Sequence, residues 1–175
     1  MIKKLIGSVA VLTCLLGAQA ALAQESTNQV SQNTDWAVFV ESNPTECWAV
    51  SAPKETVNTR DGRVVAVRRG DILLFTFFRP SAGVEGQLTF TGGYPFAENS
   101  AVTLQVGDSE FNLFTQGEWA WASSAEEDRQ IMAAMRRGAD AVLTARSSRG
   151  TQTQDTFSLL GYTAAIEDAQ RRCSN

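Results

Sequence analysis

From Trp36 onward the pattern of side chains is mostly of period two, the period of a β-strand. Trp36, Val38 and Val40 share one face. Cys47 and Ala49 then oppose Trp48 and Val50 until Pro53 closes the run. Asp61-Gly62 marks a tight turn between Val57 and a strand over Val64–Val67. Ile72–Phe78 is almost continuously apolar, which predicts a central strand covered on both faces. Leu88 and Phe90, and then Val102, Leu104 and Val106, again alternate with polar residues. Gly107-Asp108 turns the chain into Phe111–Phe114, and Gly117–Trp121 reads as a short or bulged edge strand. Val142–Arg146 and Phe157–Leu160 read as two more strands, joined across Ser147–Gln154.

Two segments switch to the helical period. Ser124-x-x-Glu127 has the spacing of a capping box, with Glu126, Glu127 and Asp128 in the positive first turn. Ile131, Met132 and Met135 form its apolar stripe, and Gly138 is the expected stop. Thr163–Arg172 reads as a terminal helix that turns Ile166, Ala169 and Cys173 toward the body. Many short strands with frequent turns, plus one internal and one C-terminal helix, predict an all-β protein: an antiparallel β-sandwich with helical additions.

The first residues break the pattern. Lys3 and Lys4, the apolar run Leu5–Leu16 and the small-x-small site Ala21-Leu22-Ala23 spell a secretory signal over residues 1–23. Residues 24–35 are mostly polar and read as a flexible leader, so the domain is expected over residues 36–175. No transmembrane span is expected in the mature protein. Export removes Cys14 and leaves Cys47 and Cys173, which are expected to pair in an oxidising compartment.

Charge narrows the chemistry. Losing Lys3 and Lys4 leaves 13 basic against 19 acidic residues, a net charge of −6, which argues against a nucleic-acid partner. The chain has no histidine, so Ser-His and Cys-His catalysis and His-ligated zinc are excluded. The carboxylates lack calcium-loop spacing; no catalytic residue, metal ligand or cofactor is assigned. Ser51-Ala52-Pro53-Lys54 matches S-x-x-K, but Pro53 opposes the helix that motif requires. Arg69-Gly70-Asp71 is the tripeptide of integrin ligands and also an ordinary turn before a strand. The candidate binding residues are the charged group Arg60, Asp61, Arg69 and Asp71 and the aromatic pair Trp119 and Trp121.

Six ordered segments carry a resemblance. They are Cys47-Trp48-Ala49, Asn58–Gly62, Arg69–Leu74, Thr91–Phe96, Gly117–Trp121 and Asp155–Gly161. Together they resemble the invasion-associated locus B family of alphaproteobacteria, over nearly all of the span from Trp36 to Cys173. The resemblance implies an immunoglobulin-like β-sandwich exported to the cell envelope. Members in blood-borne pathogens are associated with invasion of red cells, whereas the family is also widespread in free-living bacteria. It brings no catalytic residues. The expected function is therefore non-enzymatic binding of a protein or another envelope component, in the periplasm or at the cell surface. The alternative is a His-free hydrolase acting on cell-wall or glycan material through paired carboxylates.

Overall fold

A computed structural model describes residues 28–174; the signal segment 1–23 lies outside them. The strands are β1 (Gln29–Asn33), β2 (Trp36–Ser42), β3 (Thr45–Ser51), β4 (Glu55–Arg60), β5 (Arg63–Val64) and β6 (Leu73–Arg79). After them come β7 (Val84–Thr91), β8 (Ala101–Val106), β9 (Ser109–Gln116) and β10 (Trp119–Trp121). Helix α1 (Ala125–Met135), strands β11 (Asp140–Arg146) and β12 (Gln152–Ser158) and helix α2 (Tyr162–Cys173) complete the chain.

The twelve strands form one hydrogen-bonded sheet in the order β1-β2-β3-β6-β7-β10-β9-β8-β11-β12-β4-β5. Every pairing is antiparallel. The all-β class and both helices are as the sequence predicts. The sheet bends back on itself, so its two halves face each other. Phe90 of β7 meets Phe157 of β12 with ring centroids 6.1 Å apart, although four strands separate them in the sheet order. The Trp36 indole N–H donates to the Ser158 carbonyl at 3.0 Å, joining β2 to β12.

The space inside the bend is the core. Trp36, Val38, Leu74, Leu88, Phe90, Leu104, Leu143 and Phe157 are fully buried there. Each large apolar side chain taken out of water contributes roughly 1.5–3 kcal/mol. Helix α2 packs on β1, β2, β3 and β6, and α1 packs on β7. Buried Tyr162 of α2 meets Trp36 edge-on at 4.8 Å. Its hydroxyl shares a hydrogen bond with Thr76, so its polar end is satisfied. Ser124 caps α1 by accepting the Glu127 N–H. The Glu127 carboxylate reaches back one residue further than the simple capping box, to the N–H and hydroxyl of Ser123.

Cys47 and Cys173 form a disulfide with Cα atoms 5.8 Å apart, joining β3 to the end of α2 across a sequence separation of 126. Such a bond fits an oxidising compartment.

Four expectations change. The strand expected over Val64–Val67 is only the two-residue β5, Arg63–Val64. Gln29–Asn33, assigned to the flexible leader, is a strand. Its backbone pairs with β2, and the Ser31 hydroxyl donates to Asp168 of α2 at 2.6 Å. A polar strand edge is thus held by hydrogen bonds where apolar burial is small. The Ile72–Phe78 run is covered on one face only. Leu74, Thr76 and Phe78 point inward, while Phe75 and Phe77 are half-buried on the outer face. There, Phe39, Trp48, Phe77, Phe75 and Trp119 form a row with neighbouring ring centroids 5.2–6.1 Å apart. Finally, β12 begins at Gln152, five residues before the expected Phe157. Its inward residues Thr153 and Asp155 are polar, so hydrophobic alternation cannot reveal them.

Candidate functional site: an arginine-lined cleft

A cleft of about 480 Å³ opens where the end of β4, the segment leading into β6, the loop after β7, the β9–β10 turn and the turn between β11 and β12 meet. Its back wall is built on one ion pair. Arg69 and Asp155 are joined at 2.6 and 2.7 Å through both guanidinium ends. The two side chains are only 6% and 0% exposed. A planar guanidinium matches a carboxylate in this bidentate way, which lysine cannot reproduce. Arg69 also donates to the Gly92 carbonyl and to Asn58, and its guanidinium lies 5.0 Å from the centre of the Tyr94 ring. Burial pushes the Asp155 carboxyl above its usual range, while Arg69 pulls the other way and holds it as the charged partner.

Two backbone segments cross directly behind the cleft. The Gly70 N–H donates to the Gly93 carbonyl at 2.9 Å. Gly93 has a φ of +71°, and a Cβ there would lie 2.5 Å from the Gly70 carbonyl oxygen. Only glycine allows both that conformation and that approach. Tyr94 then turns its hydroxyl to Thr153 at 2.5 Å. Burial holds the phenol above its usual pKa, so it remains a protonated hydroxyl.

The opposite rim is equally fixed. Ala97 N–H donates to the Arg146 carbonyl, and Ser148 N–H donates to the Pro95 carbonyl at 2.9 Å. Ser147 and Thr151 close the β11–β12 turn through their backbones at 2.8 Å, and the Thr151 N–H donates to the Ser147 hydroxyl. This turn carries Arg149 to the mouth. From the other side, Arg60 donates to the Thr151 hydroxyl at 2.7 Å.

The result is electropositive. Arg60, Arg68 and Arg149 line the mouth and are exposed, and none forms an ion pair among the described residues. Glu118 is the single carboxylate among the lining residues. A local excess of guanidinium groups on an acidic protein concentrates anions at that place. No group of three or more His, Cys, Asp or Glu side chains suited to a metal occurs among the described residues.

The candidate residues divide accordingly. Arg60 and Arg69 both reach the cleft, Arg60 at its mouth and Arg69 as its buried wall. Because Arg69 is locked to Asp155, the Arg69-Gly70-Asp71 tripeptide does not present its arginine to a receptor. Asp61 sits in the β4–β5 turn with a φ of +51°, and Asp71 is exposed before β6; neither lines the cleft. Trp119 and Trp121 stand on the outer sheet face, with Trp119 against Phe75 and Trp121 against Phe114. Ser51 and Lys54 are both engaged by Asp35, the hydroxyl through its backbone carbonyl and the ammonium through its carboxylate at 2.5 Å, so S-x-x-K has no catalytic geometry.

Sequence reading missed Arg68, Tyr94, Arg149, Thr151, Thr153 and Asp155 as site residues. A signal existed. Arg60, Arg69, Tyr94, Glu118 and Asp155 each fall in a different one of the six segments that carried the resemblance, and all five meet at this cleft or its wall.

Comparison with known proteins agrees. The chain is similar to the crystal structure of invasion associated protein B from Bartonella henselae. The TM-score is 0.58 at 15% identity, over 83% of this chain and 98% of that one. At that identity the likeness is one of fold. No curated protein matches the chain. The model of the invasion associated locus B (IalB) protein family matches residues 69–170, from the buried arginine into α2. The chain belongs to the invasion associated locus B family.

Proposed function

We propose that the protein is an exported, non-enzymatic binding protein of the cell envelope that holds an anionic component in the arginine-lined cleft. The signal over residues 1–23 and the Cys47–Cys173 bond support export to the periplasm or cell surface. The observation that carries the reading is the mouth itself: Arg60, Arg68 and Arg149 without ion-pair partners among the described residues, over a wall pinned by Arg69 and Asp155. Binding residues on a rigid support need no large rearrangement to engage a ligand. Hydrolysis through paired carboxylates is disfavoured by the same geometry. Two carboxyl groups must flank the bond, whereas Glu118 alone lines the cleft and Asp155 is buried behind it. Association with host cells, which the name of the Bartonella protein suggests, is a further use such a site would serve in some members.

Site-specific photocrosslinking in intact cells tests the reading. A photoreactive residue at Ser148, on the cleft rim, is expected to give a discrete adduct that disappears when Arg68 and Arg149 are both replaced by Gln. The same group at Gln170, on exposed α2, is expected to give none. Absence of an adduct at Ser148, or the same adduct from both positions, overturns it. Protease treatment of intact and opened cells then separates surface from periplasm.

A further inference from the structure

We infer that the ligand of this cleft is a phosphorylated sugar: the phosphate is held by Arg60, Arg68 and Arg149, and the ring is held against Tyr94 and Pro95. The inference rests on the binding reading above and specifies its ligand.

Charge sets the first half. Three guanidinium groups against one carboxylate leave a surplus at the mouth that a single carboxylate ligand would only partly neutralise, whereas a phosphate monoester carries close to two charges at neutral pH. Arginine is suited to it because several planar N–H donors can reach different oxygens of one phosphate. The arginines are placed by secondary structure: Arg60 ends β4 and Arg149 rides the tight Ser147–Thr151 turn. Arg69 is a positioning residue, because its donors are occupied by Asp155, Gly92 and Asn58.

The remaining walls set the second half. The cleft is walled by several chain segments, more than a bare oxyanion would contact. Apolar surface comes from Val67, Tyr94 and Pro95, a short wall without the length an acyl chain requires. Exposed Ser148 stands beside it, whereas Ser147 and Thr151 are buried, their hydroxyls accepting from the Thr151 N–H and from Arg60. A short apolar wall, the exposed Ser148 and the arginine mouth together match a polyol ring bearing a phosphate. A long polyanion such as nucleic acid meets an acidic protein beyond the cleft, with a net charge of −4 over the full chain.

Titration calorimetry on the disulfide-bonded protein tests the assignment, with glucose 1-phosphate, inorganic phosphate and glucose as probes. Glucose 1-phosphate is expected to bind saturably at one site. Inorganic phosphate should bind about tenfold more weakly, and glucose should not bind. Arg68→Gln and Arg149→Gln, both on exposed side chains, should each weaken the sugar phosphate about tenfold and leave thermal unfolding unchanged. Binding should also fall as salt rises. Failure of glucose 1-phosphate to bind, equal binding of inorganic phosphate, or undiminished binding by the double variant each overturns the inference. The source follows from retention on immobilised phosphomannan. Retention that glucose 1-phosphate displaces assigns polymer-borne esters, and free-ester binding without retention assigns the soluble compound. If a Ser148 adduct forms in cells while no phosphate ester binds, the sugar-phosphate assignment fails and the binding reading stands. If both are absent, both fail.

Discussion

Asp128 shows how a single residue sets a property of the fold. It lies in the first turns of α1, is only 8% exposed, and accepts the Leu88 N–H of β7 at 2.8 Å. Burial is the largest influence on it, and Glu127 adds repulsion, so its pKa rises from 3.8 to about 6. A carboxyl whose pKa is raised on folding binds its proton more tightly in the fold. Its contribution is therefore fully present below about pH 4 and is lost as pH rises through about 6. Asp128→Asn keeps an oxygen to accept the Leu88 N–H and removes the titration. Denaturant unfolding should show the variant gaining on the parent between those pH values, by up to about 3 kcal/mol. A difference that does not change with pH would contradict this. Asp155 differs because it has a countercharge. Asp155→Asn leaves the Arg69 guanidinium buried without its carboxylate and should cost about 3–5 kcal/mol, read as a lower urea midpoint at pH 7. An unchanged midpoint would remove Arg69–Asp155 as the support of the cleft.

Among elements, legibility followed apolar content. β8 alternates apolar with polar residues, β2 and β3 are apolar over Trp36–Val40 and Cys47–Val50, and the sequence located each of them. Both helices were legible from their periods and, for α1, from Ser124 and Glu127. The pairing of Cys47 with Cys173 was legible because the expected removal of residues 1–23 leaves no other cysteine. Three elements escaped for physical reasons. β1 is held by backbone pairing and polar contacts. The start of β12 turns Thr153 and Asp155 inward, and a polar residue that is buried because it has a partner looks like a surface residue in the sequence. β6 has aromatic residues on both faces, so its outer row was indistinguishable from core. The disulfide is the element-scale constraint with the largest expected effect. In the chain-entropy account, opening a loop of 126 residues costs about 4–5 kcal/mol. Cys47→Ala with Cys173→Ala should therefore lower the thermal midpoint markedly while β-sheet circular dichroism persists at low temperature. A midpoint equal to that of the parent would show that α2 docks as firmly without the bond.

For the molecule as a whole, the bend of the sheet is what makes a site. It brings residues from β4, the β7–β8 loop and the β11–β12 turn to one place, although they are spread from Arg60 to Asp155. The sequence supplied two of its residues, Arg60 and Arg69, but assigned them to one charged stretch with Asp61 and Asp71. Three-dimensional placement separates them. Arg69 turns inward to Asp155, Arg60 crosses to Thr151, and the two aspartates remain outside. The aromatic pair Trp119 and Trp121 belongs to the other face. Because the cleft is fixed on both sides by backbone hydrogen bonds, ligand binding should perturb it locally and leave the sheet unchanged.

The most direct measurement is a two-dimensional amide NMR titration of the disulfide-bonded protein with glucose 1-phosphate. We predict saturable shifts confined to the amides around Tyr94, Ser148, Arg149 and Thr151, with those of α2 and β1 unmoved. Shifts scattered over the surface, shifts centred on the Trp119 face, or no shift at saturating ligand would contradict the cleft as the binding site of this protein.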